Sequence, residues 1–249
     1  MNYFKVARVI VPRPIRKALV RRYFSQPEGV RAALRNLNNE FQIARIVKKS
    51  AKQFQQLKGA RNLKLHLGCG YLIKAGWINI DLMEEPQSNL NGDTRFIRHD
   101  LRLGLPLEDN SASNIYSSHF FEHLEYKHSL SLLADCYRVL QPEGVFRISL
   151  PDFKSSFRAY LRDDAKHFDL LDLRELLPEV EPGTETLVDH LNFGVYQHGD
   201  HKCIYDEEKI MMVLRRLGYR SVSQSSFNPE VDPDDPLRLR HSFYVEAIK

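Results

Sequence analysis

From residue 62 onward the chain alternates between two rhythms. Short apolar runs of the kind that form strands end in glycine, proline or an acid, and between them lie stretches with apolar positions three and four apart. Leu63–Leu67 alternates and runs straight into Gly68-Cys69-Gly70. Ile78–Leu82 is a short β-type run carrying Asp81, and Thr94–His99 is followed by Asp100. Ser113–Ser117 and Val145–Leu150 are a fourth and a fifth strand, the latter halted by Pro151. Glu122–Leu140 reads as a helix with Leu124, Leu130, Leu133, Tyr137 and Leu140 in register, and Gln141-Pro142-Glu143-Gly144 as a turn. Asp206–Leu217 is another helix, with Asp206 as N-cap and Gly218 as its stop. Tyr219–Ser225 and His241–Ile248 close the series as strands. Strands alternating with helices predict an α/β fold, a mostly parallel sheet with helices on both faces.

Ahead of this body the pattern differs. Gly29–Lys58 carries Leu34, Leu37, Phe41, Ile43, Ile46, Val47, Phe54 and Leu57 at helical spacing, stopped by Gly59. Such a helix either covers the body or pairs with a second copy as a homodimer. Residues 1–27 mix Lys and Arg with aromatic and β-branched residues and contain no acid. Pro12 and Pro14 break any helix spanning them, which leaves Ile15–Phe24 as a short basic amphipathic helix suited to a membrane surface. Val9–Val11 is too short for the apolar region of a signal peptide, although the composition also suits an organellar presequence. Residues 1–61 hold 15 Lys/Arg against two acids, and residues 62–249 hold 21 against 30. The charge division predicts a basic helical N-terminal extension, 1–61, on an acidic domain, 62–249. A cationic arm attracts an anionic membrane, nucleic acid or an acidic partner. Over the whole chain, 43% hydrophobic and 27% charged residues suffice for a packed core. The longest stretch free of Asp, Glu, Lys and Arg, Asn110–Phe121, is twelve residues, against about 20 for a membrane-spanning helix. Cys69, Cys136 and Cys203 form neither a disulfide framework nor a zinc pattern, which points to a reducing, cytoplasmic compartment.

Candidate chemistry gathers at the strand ends. A strand ending in Gly-x-Gly turns sharply and lets its backbone approach a ligand, and in open parallel sheets ligands bind at these carboxyl ends. Asp81, at the end of the second strand, has the chemistry to accept hydrogen bonds from both hydroxyls of a ribose. Asp100 suits an adenine amino group, with Leu101 lining the ring. His119 and His123 follow the fourth strand as candidate bases for an acceptor hydroxyl, alongside a packing or capping reading of Glu122-His123. Asp152 ends the fifth strand, either orienting an acceptor or capping the next segment. Residues 153–205 have the composition of a lid, with an acidic helical piece, a turn at Glu181-Pro182-Gly183, and His190, His198, His201, Tyr196 and Tyr205. His119 and His123 are spaced as a metal pair can be, but His198-x-x-His201 with Asp200 and Cys203 fits no common zinc pattern, and no metal is expected. Cys69 reads as a small space-filler in the glycine loop.

Together LHLGCG, GWINID, the Asp100-Leu101 pair, LPLEDNSASNIYSSHFFEHL, RVLQPEGVFRISLPD and YDEEKIMMVLRRLGY resemble the class I S-adenosylmethionine-dependent methyltransferases. More narrowly, they resemble a small bacterial branch associated with surface-polysaccharide gene clusters. The resemblance covers residues 62–152 well and 201–249 loosely. It implies a Rossmann-like sheet of seven strands with an antiparallel C-terminal strand, and S-adenosylmethionine as cofactor. By it, Leu67, Gly68, Cys69 and Gly70 border the cofactor, with Gly68 and Gly70 under its methionine part. Asp81 holds the ribose, Asp100 and Leu101 meet the adenine, and Ser118 and His119 edge the methionine pocket. Two departures stand out. The usual third glycine is replaced by Tyr71 or Leu72, and only seven residues separate Gly70 from Ile78. A parallel crossover normally takes a dozen or more, so either the first crossover helix is reduced to a turn or the second strand lies elsewhere.

The leading expectation is a methyltransferase acting on a polar, hydroxyl-bearing acceptor, such as a sugar or glycan assembled at the inner membrane surface where the arm (residues 1–27) is held. Two alternatives are a non-catalytic cofactor-binding or assembly protein of the same fold, and an RNA methyltransferase using the arm on phosphates. The acidic body and the lack of a basic-aromatic motif disfavour nucleic acid. A dinucleotide-dependent dehydrogenase is disfavoured by the incomplete Gly-x-Gly-x-x-Gly.

Overall fold

The computed structural model describes residues 27–85, 94–168 and 186–249. The arm 1–26, the acidic helical piece and the turn at Glu181-Pro182-Gly183 lie outside them. The chain divides between Lys48 and Lys49 into two compact units. A long helix, α1 (Glu28–Gln55), runs through the division.

The second unit is built on seven strands: β1 (Leu63–Leu67), β2 (Ile78–Asp81), β3 (Arg95–Arg98), β4 (Ala112–Ser118), β5 (Leu140–Pro151), β6 (Ser221–Ser225) and β7 (Ser242–Ile248). Their order is β3-β2-β1-β4-β5-β7-β6. The first five are parallel, and β7 inserts antiparallel between β5 and β6. The fold expected from the sequence is therefore present. Leu65 pairs with Ile78 and Leu67 with Ile80, so β2 is where its pattern places it. The first crossover is a turn with no helix in it, which settles the shorter of the two alternatives.

Two boundaries moved. The helix read from Glu122 starts later, as α2 (Tyr126–Val139), because Phe121–His123 forms a separate 3-10 turn. The turn at Gln141–Gly144 lies inside β5. Leu140 pairs with Ala112 and Val145 with Asn114, so the four residues bulge out and the strand resumes. Composition marks the turn but not the re-pairing beyond it.

Among the described residues the unit has four further α-helices: α3 (Phe153–Leu161), α4 (Leu187–Tyr196), α5 (Glu207–Arg216) and α6 (Pro236–His241). The Asp206 carboxylate caps α5 by accepting from the Lys209 N–H at 2.8 Å, and Gly218 follows at φ +100°. Leu65, Leu67, Ile80, Ile115, Phe146, Ile148 and Val245 form one apolar face, packed with Leu132, Leu133 and Val139 of α2 and Ile210 and Leu214 of α5. The opposite face is polar. Directly paired residues share a face, and one row crosses the sheet as Asn79, His66, Tyr116, Arg147 and Glu246. Buried Arg147 bonds Asp232, the Glu246 carboxylate at 2.7 Å and the Ser226 carbonyl at 2.7 Å. It thereby pins the segment leading into α6 onto the sheet. Among the described residues no helix is long and apolar enough to cross a membrane.

Candidate active site

The glycine loop leaves β1 at the carboxyl edge of the sheet. Gly68 has φ +63° and Gly70 φ +51°, conformations that cost a side-chain-bearing residue about 1–2 kcal/mol. At Gly68 a Cβ would also overlap the Phe120 ring, whereas beside Gly70 there is open space. The Gly68 N–H donates to the Ile80 carbonyl at 2.9 Å, tying the loop to β2. The Asp81 carboxylate then accepts the Gly70 N–H at 2.8 Å and the Met83 N–H at 2.9 Å. The sequence motif and the acid eleven residues later thus meet in one hydrogen-bonded corner. These residues fit the cofactor the sequence implies: a bare backbone beside open space, and a carboxylate with acceptor capacity left for ribose hydroxyls. Burial and the nearby Asp81 push the Cys69 thiol up to about 12, so no thiolate forms there.

Asp100 and Leu101 lie at the end of β3. Leu101 is buried, and Asp100 caps the 3-10 turn Leu101–Leu103. Its carboxylate accepts from the Arg102 N–H at 3.0 Å and from the Arg102 guanidinium at 2.7 Å. In this structure Asp100 orders the turn, and a contact to an adenine amino group would share the carboxylate with Arg102. Ser118, buried at the end of β4, accepts from the Arg238 guanidinium at 3.0 Å.

Beyond β4 and β5 lies a pocket of about 310 Å³. His119, His123 and Asp152 all line it, with Glu122, His201 and Arg238. His119 is held in the left-handed region at φ +51°, and such strain in a non-glycine residue is typical of functional sites. Its Nε2 lies 2.6 Å from the Ser242 hydroxyl, and burial with the nearby Arg238 drives its pKa down to about 3. The ring is neutral at physiological pH and acts as a hydrogen-bonding group. Burial also lowers His123 and His201, while Asp200, by a backbone hydrogen bond and its charge, partly restores His123. Asp152 has both of its expected roles available: it lines the pocket, and it caps α3 by accepting the Ser155 N–H at 2.9 Å.

Glu122, Arg238 and His241 line the pocket without a sequence signal that marks them as site residues, and His201 comes to it from the lid segment. Glu122 is 1% exposed, neither carboxylate oxygen has a hydrogen-bond partner, and burial pushes its pKa up to about 8. Its place directly before His123 is the nearest the chain comes to such a signal. His201 and Arg238 reach the pocket from distant segments, which no spacing rule could show. The pocket and the glycine corner adjoin, since Phe120, next to His119, sits over Gly68 and Asp81 acts electrostatically on His123. A second cavity of about 500 Å³ opens on the polar face, lined by His66, Lys74, Trp77, Tyr116 and Asp232, and shares Arg238 with the first.

Residues 65–148 match a family model described as a methyltransferase domain. No curated protein matches the chain. Among solved structures, a methyltransferase from Archaeoglobus fulgidus is 18% identical, with 84% of this chain and 94% of that one covered at TM-score 0.45. A putative methyltransferase from Haloferax volcanii, solved with the Trm112 methyltransferase activator, is 16% identical over 87% and 94% at TM-score 0.46. Phosphoethanolamine N-methyltransferase 2 from Haemonchus contortus, solved with S-adenosylhomocysteine, is 11% identical over 81% and 53% at TM-score 0.43. Likenesses this distant bear on neither substrate nor residue roles.

Proposed function

The chain carries a class I S-adenosylmethionine-dependent methyltransferase domain, and from that premise we propose that it methylates a hydroxyl on a small polar acceptor, such as a sugar unit. The observation that carries this reading is the 310 Å³ pocket, walled by His119, His123, Asp152, His201 and Arg238, beside the Gly68–Asp81 corner. Its size is at the low end for small-molecule sites, and its wall offers polar groups on several sides.

When bound, S-adenosylmethionine supplies an electrophilic methyl group together with its own leaving group. The chain's task is then to align the acceptor, exclude water and take up a proton. Leu67–Gly70 and Asp81 hold the cofactor, with Ser118 and His119 at its edge. Asp100 and Leu101 form the floor beside the adenine. Asp152 and Arg238 orient the acceptor's hydroxyls, and His119, neutral and fixed by Ser242, supplies a further hydrogen bond. The neutral His123 ring takes the hydroxyl proton. The described parts of the insertion, residues 153–168 and 186–205, supply the pocket's outer wall as a lid would.

The test is incubation with methyl-labelled S-adenosylmethionine and a panel of simple glycosides, amines and carboxylates. Label in a glycoside ether is expected, with turnover about 10² lower or worse in His123→Ala. Label in amines or carboxylates alone would reject the acceptor class.

The chemistry suits surface-polysaccharide assembly. The basic residues 1–27 would hold the enzyme at the anionic inner face of the membrane, and α1, whose Val30, Leu37 and Phe41 are exposed, would pair two copies. A chain lacking residues 1–27 should lose sedimentation with anionic liposomes and keep cofactor binding. Equal sedimentation of both chains removes the membrane role.

A further inference from the structure

Three side chains in the pocket wall form an arrangement that the methyl-transfer reading does not use as a unit. Glu122 is the residue before His123, and His201 comes from the segment after α4; one ligand-type atom of each lies within 4.8 Å of the others. The Glu122 carboxylate is 99% buried on its side chain, and neither oxygen has a donor. The nearest ring nitrogen, His119 Nδ1, lies 3.9 Å from one oxygen, too far for a hydrogen bond, and a carboxylate buried in this way is costly when ionised. Its own backbone is not the source of its position by chance: the Glu122 carbonyl accepts the Lys202 N–H at 2.7 Å and the Cys203 N–H at 3.2 Å, which fastens the His201 segment beside it.

His201 is oriented from behind. The His201 Nδ1 donates to the Gly194 carbonyl at 2.7 Å, so in the neutral ring Nε2 carries the free lone pair. A ring nitrogen tied to a backbone carbonyl is the usual support of a metal-binding histidine, because it fixes the tautomer and the ring plane.

We propose that Glu122, His123 and His201 bind one divalent transition-metal ion of the zinc type. Two imidazoles and one carboxylate are a donor set that such ions accept, with a remaining coordination position open to the pocket. Metal–ligand bonds of about 2.1 Å around a tetrahedral ion bring the donors roughly 3.4 Å apart, so the three side chains close in by roughly 1.4 Å at most as the ion enters. The ion supplies the positive partner that the buried carboxylate lacks. An acceptor hydroxyl in the open position would have its pKa lowered by the ion, the task that falls to His123 in the ion-free enzyme. The sequence expectation of no metal rested on the spacing around His198 and Cys203. The cluster found here uses neither residue.

The test reads metal alone, without cofactor or acceptor, so it stands or falls separately from the methyltransferase reading. The untagged full chain, stripped with a chelator and dialysed, is titrated with Zn²⁺ by calorimetry, and with Co²⁺ while its visible ligand-field bands are recorded. One equivalent of each ion is expected, with cobalt bands of a nitrogen- and oxygen-ligated, low-coordinate site. Glu122→Gln and His201→Ala should each weaken binding by about tenfold or more. His128→Ala, in a half-buried histidine outside the cluster, should leave it unchanged. Glu122→Gln preserves shape and removes a buried acid, and a thermal transition like that of the wild type is expected and checks that it is folded. No uptake by the wild-type chain, or equal uptake in Glu122→Gln, His201→Ala and the wild type, overturns the proposal.

Discussion

The two halves of the proposed site are made in different ways. The cofactor half is mainly backbone: two glycines at positive φ, a strand-end carbonyl, and one carboxylate that fastens the loop through Gly70. The acceptor half is mainly side chains, carried by the ends of β4 and β5, by α4 and the segment after it, and by α6. A half made of backbone is local in sequence and tolerates few substitutions. A half made of side chains can change its ligand by substitution while the sheet beneath it stays the same. One fold can therefore keep a single cofactor and serve many acceptors.

The largest expected effect tests what the acceptor half hangs from. Arg147→Ala leaves Asp232 buried without its cation, and unfolding in urea should show a loss of about 3–5 kcal/mol. The exposed Arg220–Glu143 pair is the contrast, and Arg220→Ala should fall within about 0.5 kcal/mol of the wild type, the smallest effect in this set. Equal losses would mean that the pin through Arg147 does not hold the segment.

Next in size, Gly68→Ala should cost about 2–3 kcal/mol, from its positive φ and the collision with Phe120. Gly68→Ala combined with Phe120→Ala should show a favourable coupling between the two changes in a double-mutant cycle, because the collision is gone. Strict additivity of the two changes would show that Phe120 does not press on the loop.

A third prediction uses pH to separate the sheet's polar face from both halves. His66 is buried, bonded to Asn79 at 3.1 Å, and its pKa is lowered by burial to about 3. The unfolded chain, with an ordinary imidazole, binds that proton from about pH 6.5 downward, while the folded chain resists it until about pH 3. Stability from this group is therefore present above pH 6.5 and is lost as the pH falls, by about 2 kcal/mol between pH 7 and pH 5. His66→Gln should lessen the slope by that amount in urea titrations, while His119 and His241, also lowered by burial, keep the rest. An unchanged slope would place the acid sensitivity elsewhere.

The same contrast explains what was legible in the chain. Leu63–Leu67, Asp81 and the Asp206 cap follow from alternation, spacing and local hydrogen bonding, and they stand where the pattern put them. The short crossover was visible as a count of residues, though not as a choice between its two explanations. The start of α2 was missed because the Phe121–His123 turn has helical composition, and β5 was cut short because re-pairing after Gly144 depends on β4. Glu122 and His201 remained apart on paper because the backbone bond from Lys202 to Glu122 that joins them is tertiary.

The most direct test of the account is calorimetric titration with S-adenosylhomocysteine of the wild type, Asp81→Ala and His123→Ala, each first shown to be folded by its thermal transition. The account predicts one site in the wild type, an affinity at least about tenfold weaker in Asp81→Ala, and little change in His123→Ala. No binding by the wild type, or the same loss in both variants, would contradict the division of the site into a cofactor half and an acceptor half.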